Sequence, residues 1–269
     1  MRNSVIGIII AVLVSTAPVF GHGRAPLAGE VSVEIISDNG SVFRSFPASD
    51  RRKDQTHLIK KYLEAKKGEN YGIVIRNNSP ERLGVVIAVD GRNIITGSRS
   101  DLGNNETMYI VNAYEHARYD GWRTTDNEIH RFYFTEPADS YSVRTFADSS
   151  AMGVIAVAVY REKDRPRPQL DMSRNEAAPA APSMDSAARS QGKARESESA
   201  GTGFGDSRYS PVVRVEFEPE RFPVQKTLIK YEWRETLCKK GILSCVKEKK
   251  NRLWDNEGYA PYPPGYPRS

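Results

Sequence analysis

The residues of this chain best placed by type to do chemistry are two cysteines, four histidines and one serine-bearing loop, and their spacing limits what that chemistry can be. Cys238 and Cys245 lie in "KYEWRETLCKKGILSC" with six residues between them and no second Cys or His pair nearby. That is neither zinc-ligand spacing nor the C-x-x-C of a redox motif. In an oxidising compartment the pair reads as a structural disulfide, and closing so short a loop contributes roughly 2.5 kcal/mol by the chain-entropy estimate. The loop "ADSYSVRT" offers Asp139, Ser140, Ser142 and Arg144. A serine nucleophile needs a base and an orienting acid, and no G-x-S-x-G elbow presents either serine. The reading is therefore a polar loop, with Asp139 and Ser140 capping a turn.

The histidines are His22, His57, His116 and His130, and no pair has H-x-H or H-E-x-x-H spacing. His130 shares a strand face with Phe132 and Phe134, as a core or rim residue would. One metal reading follows from His22. Processing after Gly21 would make it the first residue of the mature chain, able to chelate Cu(II) through its α-amine and ring nitrogen. His116 or His130 would complete the site, and nitrogen donors suit Cu(II). The arrangement resembles the copper brace of lytic polysaccharide monooxygenases and some periplasmic copper-binding proteins. It implies a copper carrier or a copper-dependent polysaccharide oxidase as an alternative to a cofactor-free protein. "GTGFG" (Gly201–Gly205) lacks the preceding strand and following helix of a phosphate loop and reads as a flexible re-entry turn.

Aromatic residues supply a third chemistry. Tyr114, Tyr119, Trp122 and Arg123 cluster in "AYEHARYDGWR". Exposed rings there would stack on sugars, so Tyr119, Trp122 and Arg123 are candidate ligand-binding residues of a carbohydrate-binding module; buried rings would be core. Tyr231 and Trp233 fall on one strand face and are read as core.

These candidates need a compartment and a scaffold. "MRNSVIGIIIAVLVSTAPVFGHG" has a basic residue, an apolar run from Val5 to Phe20 and a small-residue exit, the three parts of a secretory signal peptide over residues 1–21. The run is at the short edge for an uncleaved membrane anchor. The expectation is a periplasmic or secreted protein that meets the membrane through this segment alone. The formal charge is +5, distributed unevenly. Residues 51–67 carry seven Lys/Arg against two Asp/Glu, and residues 220–252 carry ten against four. In an exported protein such patches suit an anionic envelope polymer or lipid headgroups rather than nucleic acid.

The scaffold reads as all-β. "VSVEIIS" alternates, "KKYLEA" and "YGIVIRN" read as a hairpin around Lys67-Gly68-Glu69, and Asp90-Gly91 is a tight-turn dipeptide between Val85–Val89 and Asn93–Thr96. "GVIAVAVY" is apolar on both faces, as a covered central strand would be. Residues 164–207 are rich in Pro, Ala, Ser, Arg and Glu and read as a disordered linker. Beyond it, "PVVRVEFEPE", with Val213, Val215 and Phe217 on one face, and "KTLIKYEWRE" read as strands. Two strands are too few to fold alone, so they are expected to rejoin the first sheets. The partition is a signal segment (1–21), a main β-sandwich (22–163), the linker (164–207), completing strands (208–245) and a basic Pro-Tyr tail (246–269). The fold class is a β-sandwich, with a jelly roll as one topology.

Several segments together resemble a family of uncharacterised exported bacterial proteins: "NYGIVIRNNS", "VDGRNIITG", "GWRTTD", "FYFTEPADSYSVRT", "GVIAVAVYRE", "GTGFG", "YSPVVRVEFE" and "KYEWRETLC". The resemblance implies that the "KYEWRE" strand joins the sheet across the linker, and it brings no activity with it. The sequence as a whole points to an exported, non-catalytic module with a binding or structural role in the cell envelope. Its partner would be an envelope protein or an anionic envelope polymer.

Overall fold

The computed structural model describes residues 31–163 and 199–245. They form fourteen strands: β1 (Val31–Ser37), β2 (Ser45–Lys53), β3 (Thr56–Ala65), β4 (Asn70–Asn77), β5 (Leu83–Val89), β6 (Arg92–Asn93), β7 (Tyr109–Val111), β8 (His116–Tyr119), β9 (Gly121–Thr125), β10 (Glu128–Thr135), β11 (Val154–Arg161), β12 (Gly201–Thr202), β13 (Ser207–Tyr209) and β14 (Gln225–Trp233). Two short helices are added, α1 (Tyr141–Phe146) and α2 (Arg234–Lys239). The signal segment, residues 164–198 and the 246–269 tail lie outside the described residues.

Two seven-stranded sheets face each other. The first is built on the order β1-β4-β10-β12, with β8, β9 and β13 attached; the second runs β2-β3-β14-β11-β5-β6, with β7 on β5. Alternation dictates the core. Val31, Val33, Ile35, Tyr71, Ile73, Ile75, Phe132 and Phe134 point inward from the first sheet. Val85, Ile87, Val89, Ile155, Val157, Val159, Ile229 and Tyr231 meet them from the second. Each fully buried aliphatic or aromatic side chain contributes roughly 1.5–3 kcal/mol. The fold is a β-sandwich, as the sequence pattern indicates, and β11 is the covered central strand.

Several local expectations change. "KKYLEA" and "YGIVIRN" are strands, but they are not a hairpin: β3 pairs β2 and β14, whereas β4 pairs β1 and β10. Both segments carry inward apolar residues, and burying both sets places them in opposite sheets, so the chain crosses the core at Gly68. "PVVRVEFEPE" forms no ladder. Its ends are tied, by Val212 N–H to Asp126 O and by Lys163 N–H to Glu218 O, so the middle spans between sheet edges with Val213 and Val215 exposed. Residues 199–207 belong to the fold rather than to a disordered linker, because Gly201–Thr202 pairs with Phe134–Thr135 of β10. One pairing, β3 with β14, is parallel, and a jelly roll built of antiparallel strands contains no such pair. The Asp90-Gly91 turn is present, with φ of 48° and 78°, although the returning strand β6 is only two residues long.

Candidate binding face

Cys238 and Cys245 form a disulfide, with Cα atoms 5.6 Å apart, that fastens the end of α2. Ser140 caps α1: its hydroxyl accepts from Val143 N–H and donates to Pro137 O. Ser142 Oγ donates to Asp148 O. Both hydroxyls are thus engaged with backbone. His130 stacks on Phe204 with ring centroids 4.1 Å apart, and its Nδ1 lies 2.8 Å from Gly205 O. His116 is exposed on β8 opposite Arg76. Among the described residues no group of three His, Cys, Asp or Glu could hold a metal ion, and His22 lies outside them.

The aromatic candidates do not share a face. Trp122 is 2% exposed; its ring packs against Phe132 and Tyr141 and its Nε1 donates to Gly203 O at 3.0 Å. Strand alternation turns Arg123 the other way. Its Nε donates to Tyr109 Oη at 2.7 Å, and its guanidinium also bonds Ser210 O. Tyr119 is half-buried behind Tyr109, whose ring centroid is 4.4 Å away, and burial pushes both phenols up. Arg123 and Tyr109 line an open groove of about 1200 Å³ between residues 104–112 and 212–219. Tyr231 is core and Trp233 packs against it.

"GTGFG" is a packing motif. A Cβ at Gly203 would sit 2.1 Å from Tyr133 Cζ, so glycine there permits the segment to lie flat on β10. The close approach delivers Thr202 into the core, where a polar chain runs between the sheets. Asp90 Oδ1 accepts from Tyr231 Oη–H at 2.5 Å and from Gly153 N–H at 2.7 Å, and Oδ2 accepts from Thr202 N–H at 2.8 Å. Thr202 Oγ1 is 2.7 Å from Tyr231 Oη and 2.8 Å from Tyr71 Oη. Since Tyr231 gives its one proton to Asp90, Thr202 must donate to Tyr231 and Tyr71 to Thr202. Burial pushes the Asp90 carboxyl up to about 6, against the pull of these hydrogen bonds and of nearby Lys230, and it pushes both phenols well up. All four side chains are 1% exposed or less, so the chain can hold a proton but can meet no substrate. It pins the sheets together. In the sequence Asp90 stands out only as a turn residue; its position ending an all-apolar strand is the available signal of burial.

The surface feature that no local sequence pattern reveals is assembled by the parallel pair. With Ile229 and Tyr231 inward, alternation turns Lys226, Leu228 and Lys230 to the outer face of the second sheet. Pairing then aligns Leu58 with Lys226, Lys60 with Leu228 and Tyr62 with Lys230. β2 adds Arg51 beside Leu58, and Phe46 beside Tyr62. Strand spacing sets Lys60 and Lys226 about 8 Å apart at their roots. Lys240 reaches the same face, donating to Glu232 at 2.5 Å and lying 6.0 Å from the Tyr62 ring centroid. Lys230 donates to Met152 O. Arg51, Lys60 and Lys226 have no ion-pair partner among the described residues. Two basic stretches more than 150 residues apart in sequence thus become one face, basic groups set among half-buried Leu58, Tyr62 and Leu228.

No helix among the described residues is long and apolar enough to cross a membrane. Comparison of the chain with protein-family models, with curated proteins and with solved structures finds no match.

Proposed function

We propose that this protein is an exported, non-catalytic β-sandwich that binds an anionic polymer of the cell envelope through the outer face of its second sheet. The observation that carries the reading is the parallel β3–β14 pair, which merges two separate basic stretches into one face. Like charges gathered at a surface create a field that concentrates a polyanion, and the half-buried aliphatic and aromatic stems beside them give its backbone something to lie against. The basic, apolar and small-residue order of the N-terminus supports export, and the disulfide suits an oxidising compartment. A non-catalytic role is favoured by the buried state of the strongly perturbed carboxyl and by the engagement of Ser140 and Ser142 with backbone oxygens.

Retention on immobilised long-chain polyphosphate tests the reading. The expected result is retention that weakens steeply as salt is raised through the physiological range, because exposed charges are screened within about 8 Å at that ionic strength. Retention no greater than on a neutral dextran support would end the proposal.

A further inference from the structure

The segment from Pro211 to Pro219 is unusual in carrying strand-like sequence on the surface without a strand partner. Backbone groups of its even-numbered residues, and of Ser210 and Glu220 beside it, are turned to the body of the protein. Ser210 N–H donates to Asn127 O, Val212 N–H to Asp126 O and Glu220 N–H to Arg161 O; Glu216 O accepts from Arg82, and Glu218 O from Lys163 N–H. In an extended chain the N–H and C=O of one residue point to the same edge and alternate from residue to residue. The odd-numbered residues Val213, Val215 and Phe217 therefore direct their backbone groups to the opposite edge. There those groups have no hydrogen-bond partner among the described residues. Within the segment Val213 and Val215 are exposed and Phe217 is half-buried over Gly84, and the exposed rings of Tyr209 and Phe222 flank it on either side.

The sequence P-V-V-R-V-E-F-E-P is self-complementary about Val215. In an antiparallel pair centred there, Val215 meets Val215 of the copy, Val213 meets Phe217, Arg214 meets Glu216, and the two prolines end the ladder at both sides. The hydrogen-bonded positions of that register are Val213, Val215 and Phe217, the same residues whose backbone groups face outward. Val213, Val215 and Phe217 share one face of the ladder; the other carries the two Arg214–Glu216 pairs at its centre and Val212 opposite Glu218 at its ends. Arg214 now reaches Asp126 at 3.2 Å, with a side chain 88% exposed, so it turns to a new partner at little cost.

We propose that the Pro211–Pro219 segment is a self-association edge, through which two copies of this chain pair as an antiparallel, two-fold-symmetric ladder. Such an interface closes on itself, giving a dimer rather than a fibre. This rests on the segment's backbone parity and charge order and is independent of the polymer-binding face.

Sedimentation equilibrium of the full secreted chain tests it by charge swapping. The wild-type chain is expected to show a mass that rises with concentration toward twice that of the monomer. Arg214→Glu alone, or Glu216→Arg alone, sets like charges opposite each other at both symmetry-related positions and weakens association about tenfold. Mixing the two single variants in equal amounts, or combining both changes in one chain, restores opposite charges and recovers the dimer. Val215→Pro deletes a central N–H from an exposed site bonded to nothing else and abolishes association, with thermal unfolding unchanged. A wild-type chain that stays monomeric at the highest soluble concentration would overturn the proposal. So would single variants that associate like wild type, or failure of their mixture to recover.

Discussion

Replacing Asp90 by Asn alters one buried proton site and little of its volume, and its effect can be worked out in sign and size. The unfolded carboxyl titrates near 3.8 and the folded one near 6, so the folded state holds the proton more tightly. Its contribution to stability is fully present below about 3.8 and is lost as pH rises through about 6. A rise of that size corresponds to about 3 kcal/mol in all, of which roughly 1 kcal/mol falls between about pH 5 and pH 7. For a domain of this size that is an increment of roughly 2–4 °C in Tm on going from pH 7 to pH 5. Asp90→Asn removes the titration, and the two chains differ nowhere else, so the difference between them isolates this one group. The assay is thermal unfolding of wild type and variant at the two pH values, with the difference taken between chains. The variant should lose the acid-side increment. It should also be less stable than wild type at pH 5 by about 1–3 kcal/mol, since an amide NH₂ now faces the Thr202 or Gly153 N–H. An Asp90→Asn variant with the same pH 5 to pH 7 difference as wild type would refute the reasoning.

Two other outcomes follow from the packing. Replacing both Cys238 and Cys245 by Ala should cost about 2.5 kcal/mol, read as a lower midpoint in urea that equals that of reduced wild type; equal midpoints for oxidised wild type and the variant would contradict the role of the staple. Gly203→Ala should destabilise by about 1–3 kcal/mol, because the new methyl meets the Tyr133 ring and the segment carrying Thr202 must lift. A variant as stable as wild type by denaturant titration would show that the close approach is dispensable.

Much of the sandwich was legible because period-2 alternation and burial are the same fact written twice: "VSVEIIS" presents Val31, Val33 and Ile35 inward as its pattern requires. The disulfide was legible because two cysteines allow one pairing. Which sheet each strand joins was not. The crossing at Gly68 depends on where the inward faces of β3 and β4 find partners, and no local pattern carries that. "PVVRVEFEPE" misled for a related reason: alternation records a capacity for pairing, and whether a neighbour lies within reach is a tertiary matter. "GTGFG" looked loose because glycine is permissive, whereas here its lack of a side chain serves contact with Tyr133. The basic face was half-legible. Both charge-rich stretches stand out in the sequence, but their adjacency is created by a parallel pairing between segments far apart in the chain.

That adjacency is the centre of the functional proposal, and charge reversal tests it most directly. Affinity for long-chain polyphosphate would be measured by calorimetric titration for wild type, for Lys60→Glu/Lys226→Glu on the proposed face, and for Arg144→Glu/Arg208→Glu elsewhere, two changes that alter net charge equally. A loss of about tenfold or more is expected for the first pair and little change for the second, because local field rather than total charge holds the polymer. Equal losses in both variants, or none in either, would contradict a binding site on this face.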